Sequence, residues 1–455
     1  MSQNFITFYM HLINKKISIV GAGLVGSLLS IYLRRQGAKV SIFDKRDDIR
    51  FDNNGAGRSI NLALSNRGIR ALNHLGIASQ IMKIAMPMYR RVMHAENGDL
   101  SEQEYGKKDQ AIYSVSRKDL NIKLIELAEN EGVNILFENS CVGVNIDETK
   151  LQFDQHKSID SDFIFGADGA GSVIRKNIAK SYPEIDMQED FINHGYKELT
   201  IPANTDGTHK LASDALHIWP RKSFMVIALP NLDGTFTCTL FAPLKDENSF
   251  SSLKNKLDIN LFFNKHFNNL TTLIPNLAEQ YINNPLGVLG FVRCSTWKKK
   301  NIILLGDSCH ATVPFYGQGM NSGFEDCFLF NEFIDKNQGI NHNIYKFLSE
   351  RIIDTRAMQD LSMNNYIEMR DKTASPHFLL KKKIEKWFSE KHLNKWIPLY
   401  SMVTFSHIPY SSALKKGLIQ DDIMEKVMKK NKLTPPFSKE ELISKNIESQ
   451  ILKLI

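Results

Sequence analysis

One run of ten residues constrains this chain more than any other. Ile17-Ser18-Ile19-Val20 is rich in strand-forming residues and flows without a break into Gly21-Ala22-Gly23-Leu24-Val25-Gly26. Apolar residues then recur at helical spacing from Ser27 to Arg35, with Gly37 as a natural stop. Val40 to Phe43 reads as a second strand, closed by Asp44, eighteen positions after Gly26. A strand, a glycine turn, a helix and a strand ending in an acid form a βαβ opening suited to a dinucleotide. The glycines Gly21, Gly23 and Gly26 permit a tight turn and close approach to a pyrophosphate. The helix start offers N–H groups, and Asp44 accepts from ribose hydroxyls. A glycine pattern of this length recurs by chance, so its place between strand and helix is what carries weight. It does not say which dinucleotide binds.

Further along, Leu120 to Glu131 reads as a helix, and Val133 to Phe137, Phe163 to Gly166 and Ile302 to Leu305 read as strands. Residues 190 to 295 alternate apolar and polar positions, as in Ala215 to Trp219, Phe224 to Leu229 and Thr235 to Phe241, which suits an antiparallel sheet built as a separate layer. From Phe324 the chain turns mainly helical, with a long helix expected from Tyr345 to about Arg370. The expected architecture is α/β: a Rossmann-like domain with an inserted, mainly antiparallel β-sheet domain and a helical C-terminal part. The boundaries are 15–75, 110–185 and 296–340 for the nucleotide-binding domain, 76–109 and 186–295 for the sheet domain, and 341–455 for the helical region. Ser438-x-x-Glu441 is a capping box that opens a last amphipathic helix carrying Leu442, Ile443, Ile447, Ile451 and Leu454. Packing on the body is the plain expectation for it, with a membrane-surface or dimer contact as the alternative.

Charge and cysteine content narrow the function classes. The net charge of +7 is spread over short separate lysine runs (Lys298 to Lys300, Lys381 to Lys383, Lys415 and Lys416, Lys429 and Lys430). No nucleic-acid-binding motif accompanies them, so a solvated surface is expected and nucleic acid is not. Five cysteines are widely spaced without CxxC pairing, which points to a reducing cytoplasm and no structural metal. The apolar stretch Phe5 to Ile13 lacks a charged start and a cleavage site, and no run approaches the roughly 18 to 20 apolar residues of a spanning helix, so no membrane anchor is expected. Cys309 and His310 are adjacent, but neighbours on a turn seldom converge and the sequence places no orienting acid beside them. His310 is therefore expected to pack or to lie near a cofactor.

Two later motifs are similar to the second and third fingerprints of the flavoprotein aromatic hydroxylases: Gly166-Ala167-Asp168-Gly169-Ala170-Gly171-Ser172-x-x-Arg175 and Gly306-Asp307-Ser308-Cys309-His310. Together with the first glycine motif they imply FAD, with a helix beginning near Gly319-Met320-Asn321 that points its N-terminus at the flavin. Within that family the resemblance narrows to the kynurenine 3-monooxygenases. It rests on Gly57 to Ser65, Met86-Pro87-Met88, Tyr113 to Arg117, Val313 to Cys327, Asn365 to Arg370 and Ile397-Pro398-Leu399-Tyr400, and runs from about Lys16 to Tyr410.

The resemblance implies residue roles. Arg91, Tyr105, Asn365 and Tyr400 would grip the α-amino acid end of L-kynurenine, since a planar guanidinium takes a carboxylate bidentately and phenol and amide add directional bonds. For FAD it points to Val25, Phe43, Asp44, Lys45, Arg46, Ala63, Arg117, Val142, Asp307, Met320 and Asn321. The contact at Val142 would be largely through backbone, and Asp44 stands where a longer glutamate is common. The Asp168-Gly169 turn would serve both FAD and the transient co-substrate NADPH. Pro314, Phe315, Tyr316 and Gln318 would shape the pocket over the flavin.

The implied reaction uses NADPH and O2. A flavin C4a-hydroperoxide transfers its outer oxygen to the ring carbon ortho to the amino group, giving 3-hydroxy-L-kynurenine, a step of tryptophan catabolism by the kynurenine pathway. The absence of a second GxGxxG fits this class. A hydroxylase of the same fold acting on another aromatic substrate is the alternative, with a plain nicotinamide dehydrogenase and a flavin-binding regulator behind it. The expected state is a cytoplasmic monomer or homodimer.

Overall fold

Strand Lys16–Val20 lies inside a six-stranded sheet, paired in parallel with Lys39–Phe43 on one side and Phe163–Gly166 on the other. The order is Lys298–Lys299, Ile302–Leu304, Phe163–Gly166, Lys16–Val20, Lys39–Phe43, Asn134–Leu136, and only the first pair is antiparallel. The computed structural model describes residues 10–51, 61–106, 110–154, 157–368 and 375–455. Of the stretches singled out above, Phe5 to Tyr9, Gly57 to Ile60, Met369 and Arg370 lie outside the described residues.

Burial explains why the parallel strands read as apolar runs. Ile17, Ile19, Ile42, Ile164, Phe165 and Ile303 are almost wholly buried, because helices cover the sheet. Helix Leu24–Arg35 packs against helix Gly319–Asn337 through Val25, whose side chain fills the space that a side chain at Gly323 or Gly306 would need.

A second sheet has seven strands in the order Gly287–Cys294, Met187–Ile201, Phe236–Pro243, Phe224–Pro230, Ala215–Arg221, Arg90–His94, Leu100–Glu104. All its neighbours are antiparallel except Ala215–Arg221 with Arg90–His94. Met187–Ile201 is a fifteen-residue strand whose register shifts between Phe191 and Gly195, a bulge that the alternating pattern does not announce. Helices Lys256–His266, Asn268–Thr271 and Leu277–Asn283 cover one face of this sheet. Phe263, Phe267 and Leu270 pack there on Trp219, Phe236 and Leu240. These helices are an addition to the mainly antiparallel sheet expected for residues 190–295.

Two small sheets complete the β structure: Asn61–Leu64, Ile112–Ser116 and Ala85–Met88, and Ser158–Asp160, Lys150–Phe153 and Cys141–Asn145. The C-terminal region is helical, as expected, with its long helix at Ile344–Ile367 followed by Pro376–Lys391, Leu399–Thr404 and Tyr410–Lys430. The final amphipathic stretch differs from expectation. Ser438 caps its start, accepting from the Glu441 N–H at 3.1 Å, but Asn446 takes a left-handed conformation and splits the stretch into Lys439–Ser444 and Ile447–Leu452. Leu442, Ile447 and Ile451 pack on the body with Phe388, Trp396 and Met424, while Ile443 and Leu454 stay exposed. Among the described residues, no helix is long and apolar enough to cross a membrane.

Candidate active site

The glycine turn folds as its sequence requires. Gly21 has φ +106°, and a side chain there would meet the Ala167 carbonyl at 2.5 Å; one at Gly26 would meet the Gly21 carbonyl at 2.0 Å. At Gly23 nothing lies within 4 Å, so the turn has open space where a pyrophosphate needs it. Helix Leu24–Arg35 has no side-chain cap at its start, and neither has helix Gly319–Asn337, which begins at the residue expected. Both therefore present uncapped N–H groups.

Asp44 ends its strand as predicted and is buried. Its carboxylate accepts from the Ala22 N–H at 2.8 Å, the Arg46 N–H at 2.9 Å and the Arg46 guanidinium at 2.9 and 3.0 Å. Burial alone would raise its pKa, but the Arg46 bonds outweigh burial and the net shift is downward. Lys45 and Arg46 are exposed. The Phe43 side chain is buried against Phe153 at 4.9 Å and its carbonyl accepts from Gly21, which leaves only its backbone near the glycine turn. Arg117 opens the helix Arg117–Asn130, exposed, and one turn on Asn121 donates to the Ala22 carbonyl at 2.9 Å. The Val142 side chain is exposed, on the strand that follows the Asn139 N–H bond to the Asp44 carbonyl.

The second and third fingerprints are locked together by a residue whose role the sequence did not reveal. Arg175, 1% exposed, donates to the Ser308 carbonyl at 2.7 Å and also reaches the Ala170 carbonyl and Glu189. Asp168 accepts from Val173 and Ile174 through Oδ2, while its Oδ1 is buried without a protein partner; burial raises its pKa. Asp307 heads a short helical turn, and a side chain at Gly319 would come within 3.9 Å of its Oδ1. Asn321 is wholly buried. Its amide donates to the Ala63 and Gly317 carbonyls, both at 2.8 Å, and accepts from the Ser65 N–H at 2.9 Å. Its side chain is spent on the protein, so a cofactor can meet only its backbone. Met320 is half-buried beside it.

His310 corrects the expectation that no acid stands near it. Its Nε2 lies 2.5 Å from Asp326 Oδ2, and its ring stacks on Trp297 at 5.0 Å. It forms no pair with Cys309, whose thiol points to the Gly306 carbonyl.

The four residues expected to hold a substrate converge from four parts of the chain. Arg91 comes from an inner strand of the seven-stranded sheet, Tyr105 follows the outermost strand, Asn365 lies on the long C-terminal helix and Tyr400 on helix Leu399–Thr404. The Tyr105 and Tyr400 rings stack at 5.6 Å, and Tyr400 stacks in turn on Tyr316 at 5.7 Å. The Arg91 guanidinium carbon lies 5.0 Å from the Tyr105 ring centre and 4.3 Å from that of Tyr400. Asn365 donates to the Phe315 carbonyl at 2.6 Å, within the turn Pro314–Tyr316 that precedes Gln318. Phe315 stacks on Tyr366 at 4.3 Å and closes the apolar side.

Nε of Arg91 and the Tyr105 hydroxyl are buried and make no hydrogen bond of ordinary geometry, though the guanidinium lies close enough to the Tyr105 and Tyr400 hydroxyls to interact with both. Burial pushes the Tyr105 and Tyr316 phenols up, so both stay protonated and act as neutral donors. A buried cation with spare donor capacity beside a neutral phenol has the chemistry to take a small anion, with aromatic faces for a flat ring.

An FAD-binding-domain family model matches residues 14–258 and 275–334. A kynurenine 3-monooxygenase of Christiangramia forsetii is 45% identical over 97% of this chain and 99% of its own length. One of Dictyostelium discoideum is 38% identical over 92% of this chain and 94% of its own. Among solved structures, HpxO of Klebsiella pneumoniae complexed with FAD and uric acid superposes with a TM-score of 0.66 at 16% identity, covering 88% of this chain and 97% of that one. A tetrameric 2-methyl-3-hydroxypyridine-5-carboxylic acid oxygenase gives 0.65 at 18% identity, over 80% and 95%. These two share the fold. With uncapped helix starts, an open glycine turn and a buried acid placed as FAD requires, the chain belongs to the kynurenine 3-monooxygenase family of FAD-dependent aromatic hydroxylases.

Proposed function

We propose that this enzyme hydroxylates L-kynurenine to 3-hydroxy-L-kynurenine, consuming NADPH and O2 and releasing NADP+ and water. The observation that carries the reading is the Arg91, Tyr105 and Tyr400 cluster, with the spare donor capacity of its Arg91 Nε and Tyr105 hydroxyl. A substrate carboxylate satisfies both, forming charge-assisted bonds that a neutral aromatic cannot.

Bound FAD supplies two-electron chemistry, taking hydride from NADPH and activating O2 for transfer of one oxygen atom to an electron-rich ring. The chain's own work is placement. Arg91 fixes the carboxylate, Tyr105 and Tyr400 orient the amino acid end, and Asn365 braces the Phe315 turn that walls the ring. Buried Phe315 and half-buried Tyr316 exclude water, which protects the reactive oxygen from loss as H2O2, while Pro314 starts their turn from an exposed position. The uncapped N–H groups at Gly319 and Met320 favour negative charge next to them, as a reduced flavin requires. Arg46, exposed and mobile by chemistry, is the group that swings to free the Asp44 carboxylate for ribose hydroxyls.

In this reading residues 15–75, 110–185 and 296–340 bind FAD, residues 76–109 and 186–295 together with the C-terminal helices enclose substrate, and the enzyme works in the cytoplasm as a monomer or homodimer. The test is NADPH oxidation by FAD-loaded protein with and without L-kynurenine, with the product weighed by mass spectrometry. A kynurenine-stimulated rate and a gain of one oxygen are expected. A yellow protein indifferent to kynurenine would overturn the substrate and leave the family intact.

A further inference from the structure

Arg67 stands on helix Asn66–His74, just beyond the strand that carries Ala63, and its side chain is completely shielded from solvent. Its Nε donates to the Val403 carbonyl at 2.8 Å, and its Nη2 to the Met402 carbonyl at 3.4 Å and to the Ile408 carbonyl. Its Nη1 donates to Glu325 Oε1 at 2.7 Å, which balances the charge. The flat face of the guanidinium covers Tyr410, 3.9 Å from the ring centre. Tyr410 is itself fully buried, and its hydroxyl donates to Gln318 Oε1 at 3.0 Å.

The physical need for this arrangement is visible at both ends. Helix Leu399–Thr404 has six residues, too few to persist on its own, and its last carbonyls have no further helical donors. A cation there completes those carbonyls and matches the negative end of the helix. Tyr400 sits on that helix, two residues before Met402, so the direction of its ring depends on where Arg67 holds the helix. At the other end, Gln318 is buried, and its amide could sit in either of two flips. The Tyr316 carbonyl, which can only accept, selects one by taking Nε2 at 3.4 Å, and the Tyr410 hydroxyl holds that flip by donating to Oε1. The ring of the same Tyr316 stacks on Tyr400, which stacks on Tyr105.

We propose that Arg67 and Tyr410 are positioning residues for hydroxylation: Arg67 aims the helix that presents Tyr400, and Tyr410 holds the Gln318 amide in the flip set by the Tyr316 carbonyl, so that it offers an N–H donor to a carbonyl oxygen of the substrate. The inference rests on the hydroxylase reading above and adds a preference to it. A substrate with an acceptor at the Gln318 position is favoured over one that carries only a donor there.

The test is a cycle of Tyr410→Phe, Gln318→Ala and the double variant in FAD-loaded protein. Three quantities are read: the kynurenine dissociation constant by titration of the flavin absorption spectrum, the share of NADPH oxidation that yields 3-hydroxykynurenine rather than H2O2, and the urea midpoint. Tyr410→Phe keeps the ring beneath Arg67, so FAD is retained. The productive share should fall about 3- to 10-fold, the size expected when one hydrogen bond no longer aligns a group. With Gln318 already replaced, Tyr410→Phe should change nothing further. An equal loss on both backgrounds, or no loss at all, overturns the lock. Arg67→Lys keeps the charge and loses the planar fork, and should weaken kynurenine binding; if that variant fails to fold, the Tyr410 cycle decides alone. If the parent ignores kynurenine, the hydroxylase reading fails by itself, and the urea midpoints still judge the lock. Non-additive midpoints support it and additive ones overturn it.

Discussion

The guanidinium carbon of Arg91 stands 4.3 Å from the centre of the Tyr400 ring, a contact between an inner strand of the seven-stranded sheet and a six-residue helix near the other end of the chain. The cation is held by aromatic faces and not by a carboxylate, which keeps its charge available to a ligand. Replacing it should therefore cost binding more than folding. Arg91→Ala is expected to raise the kynurenine dissociation constant about 30-fold or more, the price of leaving a desolvated carboxylate unpaired. FAD content should be unchanged, and Arg91→Lys should recover only part of the affinity because a point charge cannot bind bidentately. Equilibrium titration of the loaded protein checks all three.

Gly26→Ala is expected to yield protein without flavin. The new methyl group would lie 2.0 Å from the Gly21 carbonyl, too close for any small adjustment, so the turn must open. Absorbance of the purified variant near the flavin band, before and after incubation with FAD, reads the outcome.

Arg351 donates to Glu325, Asp326 and Asp354 in a site that excludes water. Arg351→Met should destabilise the protein by about 3–5 kcal/mol, because acids paired in the interior are left with uncompensated charge. The urea midpoint should fall accordingly. Arg351→Lys should fall less far.

The seven-stranded sheet holds a pair of buried histidines. Asn269 lies 3.5 Å from His94 Nδ1, His94 Nε2 lies 2.9 Å from His217 Nδ1, and His217 Nε2 lies 2.9 Å from the Ala212 carbonyl. With both rings neutral, this chain of bonds is complete. Burial first, then the neighbouring His217 and Arg221, pulls His94 down to about 4, and burial lowers His217 as well. Since the folded values lie below that of a free histidine, near 6.5, the unfolded chain takes up protons first as pH falls. The stabilisation is complete above about pH 6.5 and is lost as pH drops towards 4. Urea midpoints measured from pH 7.5 to 5 should decline, and the decline should shrink in the double variant His94→Phe with His217→Leu.

What the sequence revealed and what it hid divide by distance along the chain. The glycine turn, Asp44 and the start of helix Gly319–Asn337 were legible because each is a local event, fixed by a few adjacent residues. The Arg91, Tyr105, Asn365 and Tyr400 set was legible only through family resemblance, since nothing local brings those four positions together. The role of Arg67 was hidden for the same reason, since a buried arginine reads as a surface charge until its carbonyl partners arrive from elsewhere; Arg175 was visible as part of a motif, but its bond to Ser308 was not. Whether Phe43 offers its ring or its backbone is not legible at a strand end, and Phe153 beside it shows that the ring is taken up by packing. The split at Asn446 was missed because an asparagine continues a helix or breaks it depending on what the two halves pack against.

The six-stranded sheet has a consequence for how the molecule is made. Strands Lys16–Val20 and Lys39–Phe43 leave the ribosome early, but the sheet is incomplete until Ile302–Leu304 adds to Phe163–Gly166, and helix Gly319–Asn337 must still close over Val25. At about 5–20 residues per second the apolar strands wait tens of seconds for their last partner. For that interval the nascent chain presents unpaired parallel strands, the kind of surface that chaperones hold. The flavin can therefore load only after most of the polypeptide exists, so cofactor capture is among the last events of its biogenesis.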